Sequence, residues 1–265
     1  MLVNTAEWKG LAIRATDGEI GKVDEFYFDD DSWAIRYLTV ETGGWMGGRP
    51  VLISPISVVH ADWPARRLDV ALTKEQIQNS PKIDTHKPVS RQHESAYMDY
   101  YGASYYWGGP YVWGPGSFPE DLVVPVPAPR APAERASADS HLRSTAAVTG
   151  YGIEASDGEI GHVEDFVIDQ DTWKIRYLEV KTRNWWPGKM VLISPEWVEK
   201  VSWPESKVSV GLSREAIRSA PEYIESRPIT RDYEDQLHLH YGLAPYWLQA
   251  TGPAQVRRAG AAQTV

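Results

Sequence analysis

The sequence predicts a mainly β protein made of two tandem small β-barrels, each followed by a short helical segment and an aromatic arm. One phrase occurs twice, as DGEIGKVDEFYFDDDSWAIRYL from residue 17 and as DGEIGHVEDFVIDQDTWKIRYL from residue 157. Matching residues lie 140 positions apart (157 − 17 = 140), and no gap is needed from Ala12 to Trp107. This period indicates a duplicated domain, because solenoid units repeat every ~20–50 residues. Short runs of β-branched and aromatic residues between turn signals favour a small barrel in each copy.

The strands of the first copy follow one another in short steps. The Asp17-Gly18 turn supplies the positive-φ residue that a hairpin needs after the first strand. Five or six strands are predicted, over 11–15, 20–29, 33–41, 51–53, 58–63 and 67–72, and the gap-free repeat should preserve their register in the second copy. From the alternation of the third strand we expect four residues in the barrel cores, namely Leu38, Val40, Leu178 and Val180.

A helical segment follows each barrel. Thr73 with Gln76 three residues on matches a capping box, and Ser213 repeats the cap. Pro81 and Pro221 end these two short helices.

Four regions are predicted along the chain. The first barrel with its helical and aromatic extension covers residues 1–107, and the second covers 149–250. A linker rich in Pro, Ala and Ser, with extended polyproline-type backbone, is expected over 108–148. Residues 251–265 are predicted to form a frayed tail.

Composition limits the functions that the chain can perform. A formal charge of −9 and the lack of a basic run argue against nucleic acid and against anionic lipid surfaces. Without cysteine there is no disulfide and no thiolate chemistry. No window approaches the ~18 apolar residues of a membrane span, so we expect a cytoplasmic protein with no direct membrane insertion.

The order of motifs resembles the PRC-barrel family, named for the cytoplasmic domain of the photosynthetic reaction-centre H subunit and found also in a ribosome-maturation factor. The resemblance rests on Asp-Gly-x-Ile-Gly, Trp-x-Ile-Arg-Tyr-Leu and Val-Leu-Ile-Ser-Pro, and it covers 8–72 and 149–212. It implies the barrel fold and a bacterial protein that works through contacts. Because family members share a fold rather than a chemistry, function must be argued from the site.

Several groups that could carry chemistry are better interpreted as structural. Asp17 and Glu19 suit a hairpin turn, and Asp29 with Asp31 suits the turn before the next strand rather than an EF-hand loop. His238 and His240 are expected on the surface of a helix, without a metal. We therefore expect no catalytic residue, no cofactor and no metal site, and the chain is predicted not to be an enzyme.

Aromatic side chains are the candidate interaction residues. They lie in matching loops and in the two aromatic arms: Trp45, Met46, Trp185, Trp186, Tyr105, Tyr106, Trp107, Tyr246 and Trp247. Such residues are enriched at interfaces. The loops either cover the open ends of the barrels or contact a partner. Each arm packs on its own barrel, on the other copy's barrel or on another chain.

The leading functional hypothesis is a non-enzymatic interaction or adaptor module that binds a protein of unknown identity, or forms a homo-oligomer. Two alternatives follow from the resemblance alone. One is an accessory or assembly factor for a photosynthetic or other membrane electron-transfer complex. The other is a protein-binding factor related to ribosomes or RNA processing.

Overall fold

The computed structural model describes residues 1–46, 49–81, 89, 91–123, 141–183 and 188–248. These residues divide between two compact units. The first-copy unit comprises Ala6–Ser144 and Asp171–Lys174. The second-copy unit comprises Met1–Thr5, Thr145–Gln170 and the chain from Ile175 onward.

Strands dominate both units, as the sequence predicts. The strands are β1 (Leu2–Asn4), β2 (Ala12–Ala15), β3 (Gly18–Asp29), β4 (Ala34–Glu41), β5 (Val51–Ile53), β6 (Val58–Asp62), β7 (Arg67–Val70), β8 (Leu142–Ser144), β9 (Gly152–Ala155), β10 (Gly158–Asp169), β11 (Lys174–Thr182), β12 (Met190–Ile193), β13 (Val198–Ser202) and β14 (Lys207–Val210). The α-helices are α1 (Thr5–Trp8), α2 (Lys74–Gln78), α3 (Arg91–Tyr101), α4 (Thr145–Val148), α5 (Arg214–Ser219) and α6 (Arg231–Tyr241).

Each unit contains the same barrel sheet. In the first-copy unit the order is β6-β7-β2-β3-β4-β5, with β2 and β7 parallel and the other pairs antiparallel. In the second-copy unit the order is β13-β14-β9-β10-β11-β12, with β9 and β14 parallel. The two copies therefore repeat one topology.

Strand register is preserved between the copies. Ile13 pairs with Leu68, and Ile153 pairs with Val208, each residue 140 positions after its counterpart. A bulge interrupts the first hairpin of each copy at the same place, next to Gly21 and Gly161. A Cβ on Gly21 would lie 2.1 Å from the carbonyl oxygen of Glu41, so this close approach of two backbones requires glycine.

Strands β4 and β11 form the centres of the two cores. The four predicted core residues are fully buried. In β4 the opposite face is buried as well, because the ring of Tyr97 from α3 packs edge-on at 5.0 Å from the ring of Tyr37. The helical extension thus covers a strand face that alternation alone leaves open to water.

Two short strands were not predicted. Strand β1 pairs with β10 in the second-copy unit, through Val3 opposite Ile168. Strand β8 pairs with β3 in the first-copy unit, through Arg143 opposite Phe28. Each unit therefore gains a strand from the segment that precedes the other copy in the sequence.

Helix caps follow the sequence closely. Thr73 and Gln76 form a complete capping box at α2, and the Ser213 side chain accepts from Ala216 N at α5. The Asp17 carboxylate of the hairpin turn accepts from Lys74 N at 2.8 Å, which ties the turn to the start of α2. The predicted turn residue is thus also an anion at a helix N-terminus.

The stretch expected as a linker, 108–148, carries structure at both ends. Tyr111 and Trp113 form isolated β-bridges with Gly114 and Gly116, and a 3-10 helix spans Pro119–Val123. Strand β8 and helix α4 occupy 142–148. The remaining linker residues, 124–140, and the predicted tail, 251–265, lie outside the described residues.

Candidate functional site on the aromatic arms

Each long helix carries a buried glutamate beneath the aromatic arm. Glu94 on α3 and Glu234 on α6 occupy equivalent positions, 140 residues apart, and both side chains are almost fully shielded from water. An unpaired carboxylate would be very unfavourable there, so its partners define the site.

Glu94 has four partners in the first-copy unit. Its Oε1 accepts from the hydroxyl of Tyr106 at 2.5 Å and lies 3.5 Å from that of Tyr37. Its Oε2 lies 3.2 Å from the Arg91 guanidinium and 3.0 Å from Nε2 of His141. The charge is therefore compensated on both oxygens.

Glu234 has a closely similar set of partners in the second-copy unit. Its Oε1 accepts from the hydroxyls of Tyr177 and Tyr246, each at 2.9 Å. Its Oε2 lies 3.0 Å from the Arg231 guanidinium. Nε2 of His238 lies 3.1 Å from the Tyr177 hydroxyl.

The aromatic residues of the arms stack on arginines. In the first-copy unit the Arg36 guanidinium lies 3.7 Å from the Tyr106 ring centre, and that of Arg91 lies 4.2 Å from the Trp107 ring centre. The second-copy unit repeats this, with Arg176 at 4.0 Å from Tyr246 and Arg231 at 3.9 Å from Trp247. Cation–π attraction between partly desolvated groups thus fixes the arms on their own copies.

Burial controls protonation in these clusters. It raises the pKa of Tyr37 and of Tyr106 well above the ordinary tyrosine value, and the negative charge of Glu94 adds to the effect. Burial also raises the pKa of Tyr177 and lowers that of His238. The phenols therefore stay protonated and act as hydrogen-bond donors to the carboxylates, which is a structural role.

The first-copy arm is covered by the chain that follows it. The Trp113 ring is fully buried, with its centre 4.7 Å from the Arg36 guanidinium and 6.5 Å from the Tyr106 ring centre. Its Nε1 donates to Thr172 O at 2.8 Å, and Arg36 donates to Val112 O at 2.7 Å. Trp113 is a site residue that the sequence assigned to the linker.

The second-copy arm is more exposed. Tyr106 is buried, whereas its counterpart Tyr246 is partly exposed. The side chain of Arg91 is 28% exposed and that of Arg231 is 51% exposed. Leu239 and Leu248 are 83% and 74% exposed.

The two leucines replace polar or small residues of the first copy. The counterpart of Leu239 is Asp99, whose carboxylate accepts from the Tyr105 hydroxyl at 2.8 Å. The counterpart of Leu248 is Gly108. An apolar surface has thus taken the place of a hydrogen-bonded one at the same position of the fold.

The predicted interaction residues fall into two groups. The arm residues pack on the helical extensions of their own copies, through Arg91 and Arg231. Within the first arm, Tyr105 stacks on Trp107 with ring centres 4.7 Å apart. Of the loop residues, Trp45 and Met46 belong to a 3-10 helix, Gly43–Met46, and their side chains lie outside the described residues. Trp185 and Trp186 lie wholly outside them.

The acidic turns and the histidine pair also have defined places. Asp29 accepts from the backbone and the hydroxyl of Ser32, and this holds the turn before Trp33, which has a positive φ of 55°. The expectation of a surface histidine at His238 is wrong, because its ring is buried 5.2 Å from that of Trp197. The described residues contain no group of three side chains able to hold a metal ion.

A further buried carboxylate occurs only in the second copy. Glu179 on β11 accepts from Nδ2 of Asn4 on β1 at 3.0 Å, and its side chain also contacts the Tyr223 hydroxyl. Burial raises the pKa of Glu179 from its ordinary 4.5 to about 7. The first copy has Thr39 at this position, so the repeat itself marks Glu179 as unusual.

These features define a class of protein. It is a duplicated small β-barrel with helical and aromatic extensions. The PRC-barrel domain model matches residues 3–76 and 144–209, and the chain belongs to that family. A search of curated proteins gave no match. Within the part of the chain that the structure covers, no helix has the length and apolar character needed to cross a bilayer.

Proposed function

We propose that the protein is a non-enzymatic interaction module and that the aromatic arm of the second copy is its main contact surface. The observation that carries the proposal is the exposure of Leu239 on α6 and of Leu248, which follows Trp247 in the arm. Two leucines this exposed, one on the long helix and one on the arm that packs against it, are typical of a surface that is covered in a complex.

The composition of this surface suits a protein interface. Trp247 offers a rigid aromatic ring, and the Arg231 guanidinium on its face remains half exposed. Tryptophan, tyrosine and arginine supply a disproportionate share of binding energy in interfaces. Because the Tyr246 hydroxyl bonds to Glu234 and Arg231 stacks on Trp247, the arm is already ordered and little ordering is needed on binding.

The contrast with the first copy supports this choice. There the equivalent surface carries Asp99, which hydrogen-bonds to Tyr105, and Trp113 covers the arm. A purely structural arm needs no exposed leucine. The exposed leucines of the second copy are therefore better explained by a partner than by folding.

The test compares three full-length proteins in capture from native lysate and in sedimentation. The double variant Leu239→Asp, Leu248→Ser is expected to keep the wild-type melting temperature and to lose partner capture or self-association. Its matched control is Val59→Glu, because Val59 is 68% exposed on β6 and its counterpart is already Glu199. Equal capture and equal sedimentation for all three proteins would exclude this surface.

The loops that carry Trp45 and Trp185 are proposed as a second contact. If they bind a partner, the double variant Trp45→Ser, Trp185→Ser should weaken capture and leave the melting temperature nearly unchanged. If they only cap the barrels, the same variant should melt earlier and bind as before, because removing a buried Trp costs up to several kcal/mol. The electron-transfer and ribosomal alternatives are not proposed, because no contact among the described residues favours them.

A further inference from the structure

We infer that the second-copy arm receives an extended, glycine- and proline-rich segment of a partner protein that bears one tryptophan. The first-copy arm shows the same kind of contact with its own chain. This inference rests on the proposed function and specifies the chemistry of the partner.

The segment 109–119 of the first copy shows what such an arm binds. It inserts Trp113 beside the Tyr106 ring and the Arg36 guanidinium, and its Val112 carbonyl accepts from Arg36. The contact therefore needs three things from the segment. It needs an indole ring, a free carbonyl next to it and a backbone that approaches the arm closely.

Glycine is what allows this close approach. Gly114, directly after the tryptophan, has φ of 68°, and a Cβ there would lie 3.2 Å from the carbonyl oxygen of Tyr105. A Cβ on Gly109 would lie 2.2 Å from the carbonyl oxygen of Gly114. The tight turn around the tryptophan thus requires residues without a side chain.

The second-copy arm has the matching receptor groups. Arg176 stacks on Tyr246 as Arg36 stacks on Tyr106, and Tyr246 is held by Glu234 as Tyr106 is held by Glu94. Tyr246 stays partly exposed, whereas Tyr106 is buried. Among the described residues these receptor groups are repeated, and a covering tryptophan is present only on the first arm.

The residues printed after the second arm do not repeat the Trp113 segment. Residues 249–265 read QATGPAQVRRAGAAQTV and contain no tryptophan, tyrosine or phenylalanine. Since the Trp113 segment already covers its own arm, a different protein fits better than a second copy of this chain.

The apolar rim fits a segment of this composition. In the first copy, Phe118 and Leu122 of the covering stretch are buried. In the second copy the exposed Leu239 and Leu248 offer apolar surface that an equivalent residue of the partner segment would cover.

The inference is tested with a synthetic peptide of residues 109–119, GPYVWGPGSFP, added to the full-length protein and followed by calorimetry. We expect saturable binding with one site per chain. Replacing the tryptophan of the peptide by alanine should weaken binding by about tenfold or more, because an indole anchor dominates small interfaces. The protein variant Leu239→Asp should weaken binding while its melting temperature stays unchanged.

Two controls locate the binding. Val59→Glu should bind the peptide like the wild type. Tyr246→Phe keeps the ring and should retain peptide binding, whereas Tyr246→Ala should lose it. A melting curve shows whether the alanine variant is folded. If it is unfolded, the result for Leu239→Asp takes its place.

The outcomes separate the two proposals. If the double leucine variant loses a native partner but the wild type ignores the peptide, the tryptophan segment is wrong and the contact surface stands. If neither the lysate nor the peptide distinguishes the variants, both are wrong. If the wild type forms a dimer that Trp113→Ala dissociates, the occupant is a second copy, and the inference of a different protein is overturned.

Discussion

Glu179 gives the second copy a pH-dependent stability that the first copy lacks. The carboxyl group is buried against Asn4, and the negative charges of Asp165 and Glu225 add to the effect of burial. These influences raise its pKa from 4.5 to about 7, although the hydrogen bonds of Tyr223 and Asn4 act in the opposite direction. The folded protein therefore binds this proton more tightly than the unfolded chain does.

The sign and size follow from linkage. Because the folded pKa is raised, the contribution to stability is fully present below about pH 4.5 and is lost as the pH rises through about 7. The difference between the two pKa values corresponds to about 3 kcal/mol of unfolding free energy. Most of it, roughly 2 to 3 kcal/mol, should disappear between about pH 5 and about pH 8.

The assay is urea unfolding of wild type and Glu179→Gln across this pH range. Glutamine imitates the protonated side chain, so both proteins should be similarly stable at about pH 5, and the variant should be the more stable one at about pH 8. Comparing the two proteins at each pH removes the contributions of titrating groups that do not interact with Glu179. A difference in unfolding free energy that stays constant with pH would refute a neutral, buried Glu179.

Three further predictions concern the repeated elements. Tyr177→Phe should destabilise the protein by about 1–3 kcal/mol in urea unfolding, more than Tyr37→Phe, because it removes a 2.9 Å hydrogen bond to a buried carboxylate rather than a 3.5 Å contact. Gly21→Ala should cost several kcal/mol, since its Cβ would meet a backbone oxygen at 2.1 Å, whereas Gly108→Ala, with nothing within 4 Å, should be close to neutral. Burial lowers the pKa of His238, so the folded state disfavours the charged ring and the wild type should lose stability as the pH falls below about 6.5. The variant His238→Met should lack this loss, and an unchanged acid sensitivity would contradict the prediction.

The barrel could be predicted from the sequence because its signals are local or repeated. The Asp17 turn and the Thr73 cap are set by short-range hydrogen bonds, and the structure contains both. The core positions Leu38 and Leu178 follow from the alternation of one strand. A repeat without gaps then fixed the register of the second copy.

The glutamate clusters could not be predicted in this way. Glu94 lies three residues after Arg91 on a polar-looking helix, a pattern typical of a solvated surface pair. It is buried because Tyr37 and Tyr106 reach it from distant parts of the chain. One signal was available, since Glu, Tyr and Arg recur together at an offset of 140.

The Trp113 segment was missed for a different reason. Its glycines and prolines are typical of a spacer, and composition does not distinguish a spacer from a backbone that must pass close to another backbone. Strands β1 and β8, each of which pairs within the unit of the other copy, are only three residues long and show no alternation. Leu2 and Thr5 recur as Leu142 and Thr145, so in each copy the repeat begins before the first strand of the barrel pattern.

Comparing the two copies separates residues that fold the protein from residues that are free to act. The buried glutamate, its two tyrosines and its arginine occur in both copies with nearly the same geometry, so they are requirements of the fold. The covering tryptophan occurs in one copy, and the exposed leucines occur in the other. Since both barrels are stabilised by the same cluster, the cover is not needed for an arm to pack. Among the described residues no tryptophan covers the second arm, so a preformed aromatic and cationic surface is exposed there, and binding is to be sought on that surface.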